Sequence, residues 1–139
     1  MKITILLSTY NGEKYLKEQL DSILNQTYDD WFLLIRDDYS QDNTENIIEA
    51  YIKDHPNKIK KIKSYENIGV VKSFEELLKT CSSEYISFCD QDDIWLPTKL
   101  EESMKKMVEL EKKHPEKPIA VFSDLAVVDE NLNVIHSSF

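Results

Sequence analysis

Tyr85-Ile86-Ser87-Phe88-Cys89 is a short apolar run that breaks off in Asp90-Gln91-Asp92-Asp93, and Ile94-Trp95-Leu96 follow at once. Three carboxylates in four residues, bracketed by apolar segments, put acid where a buried strand surfaces. Two carboxylates about 5 Å apart repel by roughly 3 kcal/mol at an effective dielectric of about 20. A chain that fixes such a pair at a strand end must protonate one member, surround it with donors, or recruit a cation. Asp90 and Asp92, separated by Gln91, offer oxygens to one divalent ion while leaving positions for water and a phosphate-bearing ligand. The plainer alternative is a cap, with Asp93 or Thr98 opening a helix near Pro97 and the other acids solvated. The junction alone does not choose between them.

The rest of the chain repeats the pattern of apolar run and polar turn. Ile3 to Leu7 stops at Ser8-Thr9-Tyr10-Asn11-Gly12, and Trp31 to Ile35 stops at Arg36-Asp37-Asp38-Tyr39-Ser40-Gln41-Asp42-Asn43. Continuous apolar runs of this length predict strands covered on both faces. Leu16, Leu20, Ile23 and Leu24 recur at helical spacing until Asn25-Gln26-Thr27. Ile47, Ile48, Tyr51 and Ile52 do the same behind a cap at Asp42 or Asn43. After the break at His55-Pro56-Asn57, Ile59 and Ile62 predict a short, more exposed strand ending near Ser64. Glu66-Asn67-Ile68-Gly69 reads as a loop, and Val70, Val71, Phe74, Leu77, Leu78 and Cys81 form a third helical stripe. Leu100, Met104, Met107 and Val108 mark a fourth helix, stopped by His114-Pro115. Ile119 to Phe122 predicts another short strand, and Asp124–Asp129 with Leu132–His136 a hairpin joined across Glu130-Asn131.

Strands alternating with helices at these intervals predict an α/β domain, a mainly parallel sheet flanked by helices, with a C-terminal β-hairpin. Open sheets of that kind bind ligands at the carboxyl ends of their strands. Ser8–Asn11, Asp37–Ser40 and Asp90–Asp93 are therefore expected to converge, which favours the metal reading of the acidic junction.

At 139 residues the chain is one domain's worth, and a 41% apolar share supports a packed core. A formal charge of −9 lacks the basic footprint of a nucleic-acid binder and opposes anionic lipid, despite the local run Lys58-Ile59-Lys60-Lys61-Ile62-Lys63. Cys81 and Cys89 sit in apolar surroundings without zinc-like spacing, as buried free thiols in a reducing cytoplasm would. The opening apolar run is too short for a signal peptide or a membrane span.

A cleft lined by Tyr10, Asp38 and Asp90-Gln91-Asp92 suits a nucleoside diphosphate. Tyr10 supplies a flat face for a base, Asp38 an acceptor for a ring N–H, and the acidic pair a metal bridging the pyrophosphate. No Gly-rich phosphate loop is present, so the phosphate charge falls to a cation. Each residue also has a simpler reading. Tyr10 can pack on the first helix as an ordinary loop aromatic, and Asp38 can form an Asx-turn. Lys72 fits a solvated helix face, while its place just after Gly69 leaves a phosphate contact open. His55, His114 and His136 lie beside turns or a strand end and are assigned no catalytic role.

Ser8-Thr9-Tyr10-Asn11, Gln26-Thr27-Tyr28, Asp37-Asp38-Tyr39-Ser40-Gln41-Asp42 and Cys89-Asp90-Gln91-Asp92-Asp93-Ile94-Trp95-Leu96-Pro97, in this order and spacing, resemble the family 2 glycosyltransferases of GT-A fold. The likeness runs over essentially the whole chain. It implies that Ser8 and Tyr10 flank the nucleotide base and that Asp38 accepts from it; Asn11, in the same turn, and Lys72, from its place after Gly69, are further nucleotide-binding candidates. It further implies that Asp90 and Asp92 serve Mn²⁺ or Mg²⁺ on the diphosphate, with Asp92 the direct ligand that helps stabilise the departing group. The implied reaction is inverting transfer from a nucleoside-diphosphate sugar to an acceptor hydroxyl, with a carboxylate base well beyond the Asp-x-Asp. Residues 1–139 are accordingly expected to be a single donor-binding domain truncated before the acceptor and base segment, with transfer weak or absent on its own. Tyr39 departs from the small residue, often glycine, usual at that place. The acidic run resembles bacterial surface-polysaccharide members, including rhamnosyltransferase-like ones. That likeness favours a UDP- or dTDP-linked donor and a glycan or lipid-linked acceptor, in the cytoplasm or at the inner membrane face.

Three rival functions fit less well. A sugar-phosphate nucleotidyltransferase needs a basic, Gly-rich first loop, and Ser8 to Glu13 has one glycine and an acid. A phosphoacceptor receiver module places its acidic pair after strand one, where this chain has none. A calcium loop of the EF-hand kind needs further ligands where Ile94-Trp95 stand.

Overall fold

The computed structural model describes residues 1–138. The chain divides into two compact units, Met1–Pro97 and the residues from Thr98 onward.

The first unit is a four-stranded sheet in the order β3-β2-β1-β4, built from β1 (Ile3–Thr9), β2 (Trp31–Asp37), β3 (Ile59–Lys61) and β4 (Tyr85–Cys89). Every pairing is parallel, so each connection must cross over, and the three crossovers carry α1 (Leu16–Leu24), α2 (Thr44–Asp54) and α3 (Val70–Thr80). The register sets Thr9 opposite Asp37 and Leu7 opposite Cys89. All three polar turns therefore leave the same edge of the sheet, as the sequence predicts.

Alternation along the strands divides the core between two faces. Leu6 and Leu34 pack with Leu77 of α3, and Phe32, Ile62, Phe74 and Cys81 close around them. The opposite face presents Ile5, Leu7, Leu33 and Ile35, all fully buried, and Leu16, Leu20 and Ile23 of α1 and Ile48 of α2 are buried likewise. Each such side chain contributes about 1.5–3 kcal/mol relative to an exposed position. β3 is shorter than expected, ending at Lys61, although Ile62 N–H still donates to Ile35 C=O at 2.9 Å. Asp42, rather than Asn43, supplies the side-chain acceptor at the start of α2, taking the Thr44 N–H at 3.0 Å.

The second unit contains α4 (Lys99–Lys113) and the antiparallel hairpin of β5 (Val127–Val128) and β6 (Val134–His136). The hairpin has shorter strands and a longer connection, residues 129–133, than predicted. Asp129 accepts the N–H groups of Asn131 and Asn133, both at 2.9 Å, and organises the turn. The strand expected at Ile119–Phe122 is absent: residues 118–126 form no ladder, and Phe122 is 93% exposed. A short apolar run becomes a strand only where a partner satisfies its backbone groups, and here none among the described residues does. Among the described residues no helix is long and apolar enough to cross a membrane.

Candidate functional site

β1, β2 and β4 deliver their terminal turns to one edge, and the first two turns are stitched together by side chains. Asn11 N–H donates to Ser40 Oγ at 2.9 Å, while Gln41 N–H donates to Asn11 Oδ1 at 2.8 Å. Gly12 N–H reaches Thr44 Oγ1 at 2.8 Å, and Asn43 N–H reaches Glu13 Oε2 at 2.8 Å. Asp37, buried, accepts from Thr9 Oγ1 at 2.8 Å and from Ser40 through both its N–H and its hydroxyl. Asp42 is drawn in as well. Burial opposes its charge, but the Thr44 hydroxyl and N–H and the Glu13 N–H hold its carboxyl below the usual range.

Asp38 is locked more firmly. Its Oδ1 accepts from the Arg36 guanidinium and from Ile68 N–H at 2.8 Å, and its Oδ2 accepts Gly69 N–H at 2.8 Å. Arg36, itself buried, also donates to Ser73 Oγ at 2.8 Å and to Glu66 C=O at 3.3 Å. Burial alone would raise the Asp38 pKa; the Ile68 N–H, the guanidinium and the Gly69 N–H outweigh it and lower the value. A carboxylate so placed stays ionised and keeps one lone pair of Oδ2 for a further donor. The same network fixes the loop before α3, where Gly69 adopts φ +83°.

The acidic turn is held differently. Its far end is pinned by α1 and the residues that follow it: Trp95 N–H donates to Ser22 Oγ at 3.0 Å, Gln26 Nε2 to Leu96 C=O at 2.9 Å, and Thr27 N–H to Pro97 C=O at 2.8 Å. Gln26-Thr27, read in the sequence as the end of the first helix and part of a motif, is thus the brace for Trp95-Leu96-Pro97. In the middle, Gln91 Oε1 accepts Tyr10 N–H at 2.9 Å and Gln91 Nε2 donates to Tyr10 C=O at 3.1 Å. Asp90 and Asp92, on either side, are exposed, and among the described residues neither carboxylate has a hydrogen-bond or ion-pair partner.

Together the turns enclose a cleft of about 340 Å³ lined by Ser8, Thr9, Tyr10, Asp38, Asn67, Gly69, Val70, Asp90, Gln91 and Asp92. Of the residues singled out from sequence, Ser8, Tyr10, Asp38, Asp90 and Asp92 line this cleft. Asn11 and Lys72 are outside the lining: Asn11 joins the first two turns, and Lys72 is exposed on α3. Asn67, Gly69 and Val70, from the loop before α3 and its first residue, are in the lining. Gly69 was the available signal, since a glycine before a helix marks backbone that approaches something closely. Gln91 carried a signal too, being an amide with one donor end and one acceptor end between two acids.

Among the described residues no group of three or more His, Cys, Asp or Glu side chains is arranged to hold a metal. The donor set nonetheless fits Mg²⁺ or Mn²⁺, which take hard oxygen ligands and are commonly held by one or two carboxylates while substrate phosphates and water complete the shell.

Residues 4–114 match the family described as Glycosyl transferase family 2. The chain belongs to that family. A relative, the dTDP-rhamnosyl transferase RfbG of Shigella flexneri, is 40% identical over 106 residues, covering 73% of this chain and 37% of that protein. Among solved structures, Staphylococcus aureus TarS 1-349 in complex with UDP superposes with a TM-score of 0.68 at 24% identity, over 96% of this chain and 43% of that one. The mannosyltransferase PcManGT from Pyrobaculum calidifontis, in complex with GDP-Man and Mn²⁺, gives 0.61 at 24% identity, over 67% of this chain and 28% of that one. These structural likenesses show the fold, which is the GT-A arrangement expected from the sequence. The family 2 chain described here spans less than half the length of each of these three proteins.

Proposed function

We propose that this family 2 chain binds a nucleoside-diphosphate sugar and forms the donor side of an inverting glycosyltransferase. The observation that carries the proposal is the contrast among the carboxylates at the sheet edge. Asp37, Asp38 and Asp42 are engaged with protein donors, whereas Asp90 and Asp92 line the cleft with no partner among the described residues. Tyr10, 47% exposed, offers its ring to the base, beside Ser8, and the remaining lone pair of Asp38 accepts the ring N–H. That N–H is present in uracil, thymine and guanine; the dTDP-rhamnosyl transferase relative and the UDP complex of TarS support UDP or dTDP as carrier, while PcManGT holds GDP-Man. Asp90 and Asp92, with Asp92 as the direct ligand, would hold Mn²⁺ or Mg²⁺. A cation held there supplies Lewis-acid neutralisation of the departing diphosphate.

In the proposed reaction an acceptor hydroxyl oxygen forms a bond to the anomeric carbon from the side opposite the diphosphate. The bond from that carbon to the phosphate oxygen breaks, the hydroxyl proton passes to a carboxylate base, and the nucleoside diphosphate leaves. No residue of this chain is assigned as the base. A glycan or lipid-linked acceptor, and a place in the cytoplasm or beside its membrane, belong to the same proposal.

Calorimetric titration of UDP, dTDP and GDP, with and without Mn²⁺, on the wild type and Asp92→Ala tests it. The expected result is metal-dependent binding of one diphosphate that Asp92→Ala loses. Binding of none in either condition would overturn the reading.

A further inference from the structure

The two halves of the cleft are anchored to the protein in unlike ways. The turn carrying Tyr10 is tied to the β2 turn through Asn11, Gly12 and Glu13, none of these bonds involving β4. The acidic turn has its far end fixed on Ser22 and Gln26. Between Asp90 and Asp92, its side-chain tie to the rest of the site is the Gln91 amide, which pairs with both backbone groups of Tyr10 as a neighbouring strand would. Gly12 makes room for that amide. A Cβ at residue 12 would lie 2.4 Å from Gln91 Oε1 and 2.9 Å from Cδ, and no backbone atom is among the nearest contacts.

We propose that Gln91 is the positioning residue of this site: its amide, seated over Gly12, clamps the Asp90 and Asp92 carboxylates in register with the base platform at Tyr10. The inference rests on the donor-site reading above and adds the coupling between its parts. Both ends of the Gln91 amide are taken by Tyr10, so its part is to position the site rather than to ligate. It sets where the two carboxylates stand when a diphosphate, anchored by its base, reaches them. Removing the clamp therefore weakens the metal-dependent part of nucleotide binding and spares the metal-free part, because the Tyr10 turn keeps its own anchors.

Three variants separate this role from general support of the fold. Gln91→Met keeps length and bulk without either hydrogen bond. Gly12→Ala leaves Gln91 chemically intact but takes the space its amide occupies, and the double variant combines the two. The readout is the ratio of the UDP or dTDP dissociation constant without Mn²⁺ to that with Mn²⁺. Each single variant is expected to lower that ratio about ten-fold, as loss of two modest hydrogen bonds would, with the metal-free constant changed less than about three-fold. The double variant is expected to fall no further than either single one, since both act through the same amide. Gln91→Glu, which can still accept the Tyr10 N–H but not donate to its carbonyl, is expected to fall between wild type and Gln91→Met.

Amide hydrogen exchange without nucleotide supplies a readout independent of the donor reading. Residues 90–94, and the Tyr10 N–H that loses its acceptor, are expected to exchange faster in Gln91→Met and Gly12→Ala, with Asn11 and Glu13 unchanged. An unchanged ratio, equal losses with and without metal, additive effects in the double variant, or unchanged exchange at residues 90–94 would each overturn the clamp. Absence of metal-dependent binding in the wild type, with faster exchange still seen in the variants, would overturn the donor reading while leaving the clamp as a feature of the fold.

Discussion

Replacing Asp38 with Asn removes one charge from a pair whose side chains are 5% (Arg36) and 3% (Asp38) exposed. The Arg36 guanidinium is then left inside the protein with neutral partners, Ser73 Oγ and Glu66 C=O. Breaking a buried ion pair from one side costs about 3–5 kcal/mol, and the new amide NH₂ also meets one of the donors that Asp38 now accepts. Asp38→Asn is therefore expected to lose about 3–5 kcal/mol at pH 7, measured as the shift in urea midpoint at unchanged slope. Arg36→Met combined with Asp38→Asn is expected to be less damaging than Asp38→Asn alone, by roughly 1–3 kcal/mol, because no charge remains stranded. The pH dependence has a definite sign. Folded Asp38 titrates below its unfolded value of about 3.9, so its stabilisation is complete above that value and is lost as pH falls through the folded one. The gap between wild type and Asp38→Asn should thus be constant from pH 7 to about 5 and narrow below about 4. A loss under about 1 kcal/mol at pH 7, or a gap that does not narrow in acid, would refute the reasoning.

Further consequences concern the core and the backbone. Leu77→Ala, at a fully buried position between Leu6 and Leu34, is expected to cost about 2–5 kcal/mol in chemical denaturation. Gly69→Ala meets no atom within 4 Å, yet φ is +83°, so about 1–3 kcal/mol of backbone strain is expected, with Asp38 contacts loosened. Tyr39→Gly works in the opposite direction. Tyr39 is 54% exposed at φ +67°, and relief of about 1–2 kcal/mol of strain, partly offset by the entropy of glycine, should leave the melting temperature equal or higher.

The Tyr39 geometry also gives a physical reason why glycine would suit this place: the turn needs a left-handed residue whichever side chain occupies it. Much else was legible for similarly local reasons. Trp31–Ile35 is an unbroken apolar run and Ile3–Leu7 is interrupted only by Thr4, and such runs fit strands buried on both faces. The three polar turns had to share an edge once the sheet was parallel. Bonds between segments distant in sequence were not legible. Nothing within a few residues of Gln91 announces Tyr10, 81 positions earlier, and nothing near Gln26 announces Leu96. The sequence marks Asp38 as an acceptor but not its partners Ile68 and Gly69, which lie in a loop whose path depends on α3 packing. Ile119–Phe122 shows the converse. Its composition suits a strand, but composition cannot supply the neighbouring backbone that a strand requires.

The most direct test of the donor site follows the electron paramagnetic resonance signal of free Mn²⁺ as protein and nucleoside diphosphate are added, singly and together. The expected result is that the signal falls well beyond the effect of nucleotide alone only when protein and UDP or dTDP are both present, and that Asp92→Asn abolishes this extra loss. Mn²⁺ uptake by the protein without nucleotide, or an extra loss undiminished in Asp92→Asn, would contradict a site in which the acidic turn and the diphosphate hold one ion between them.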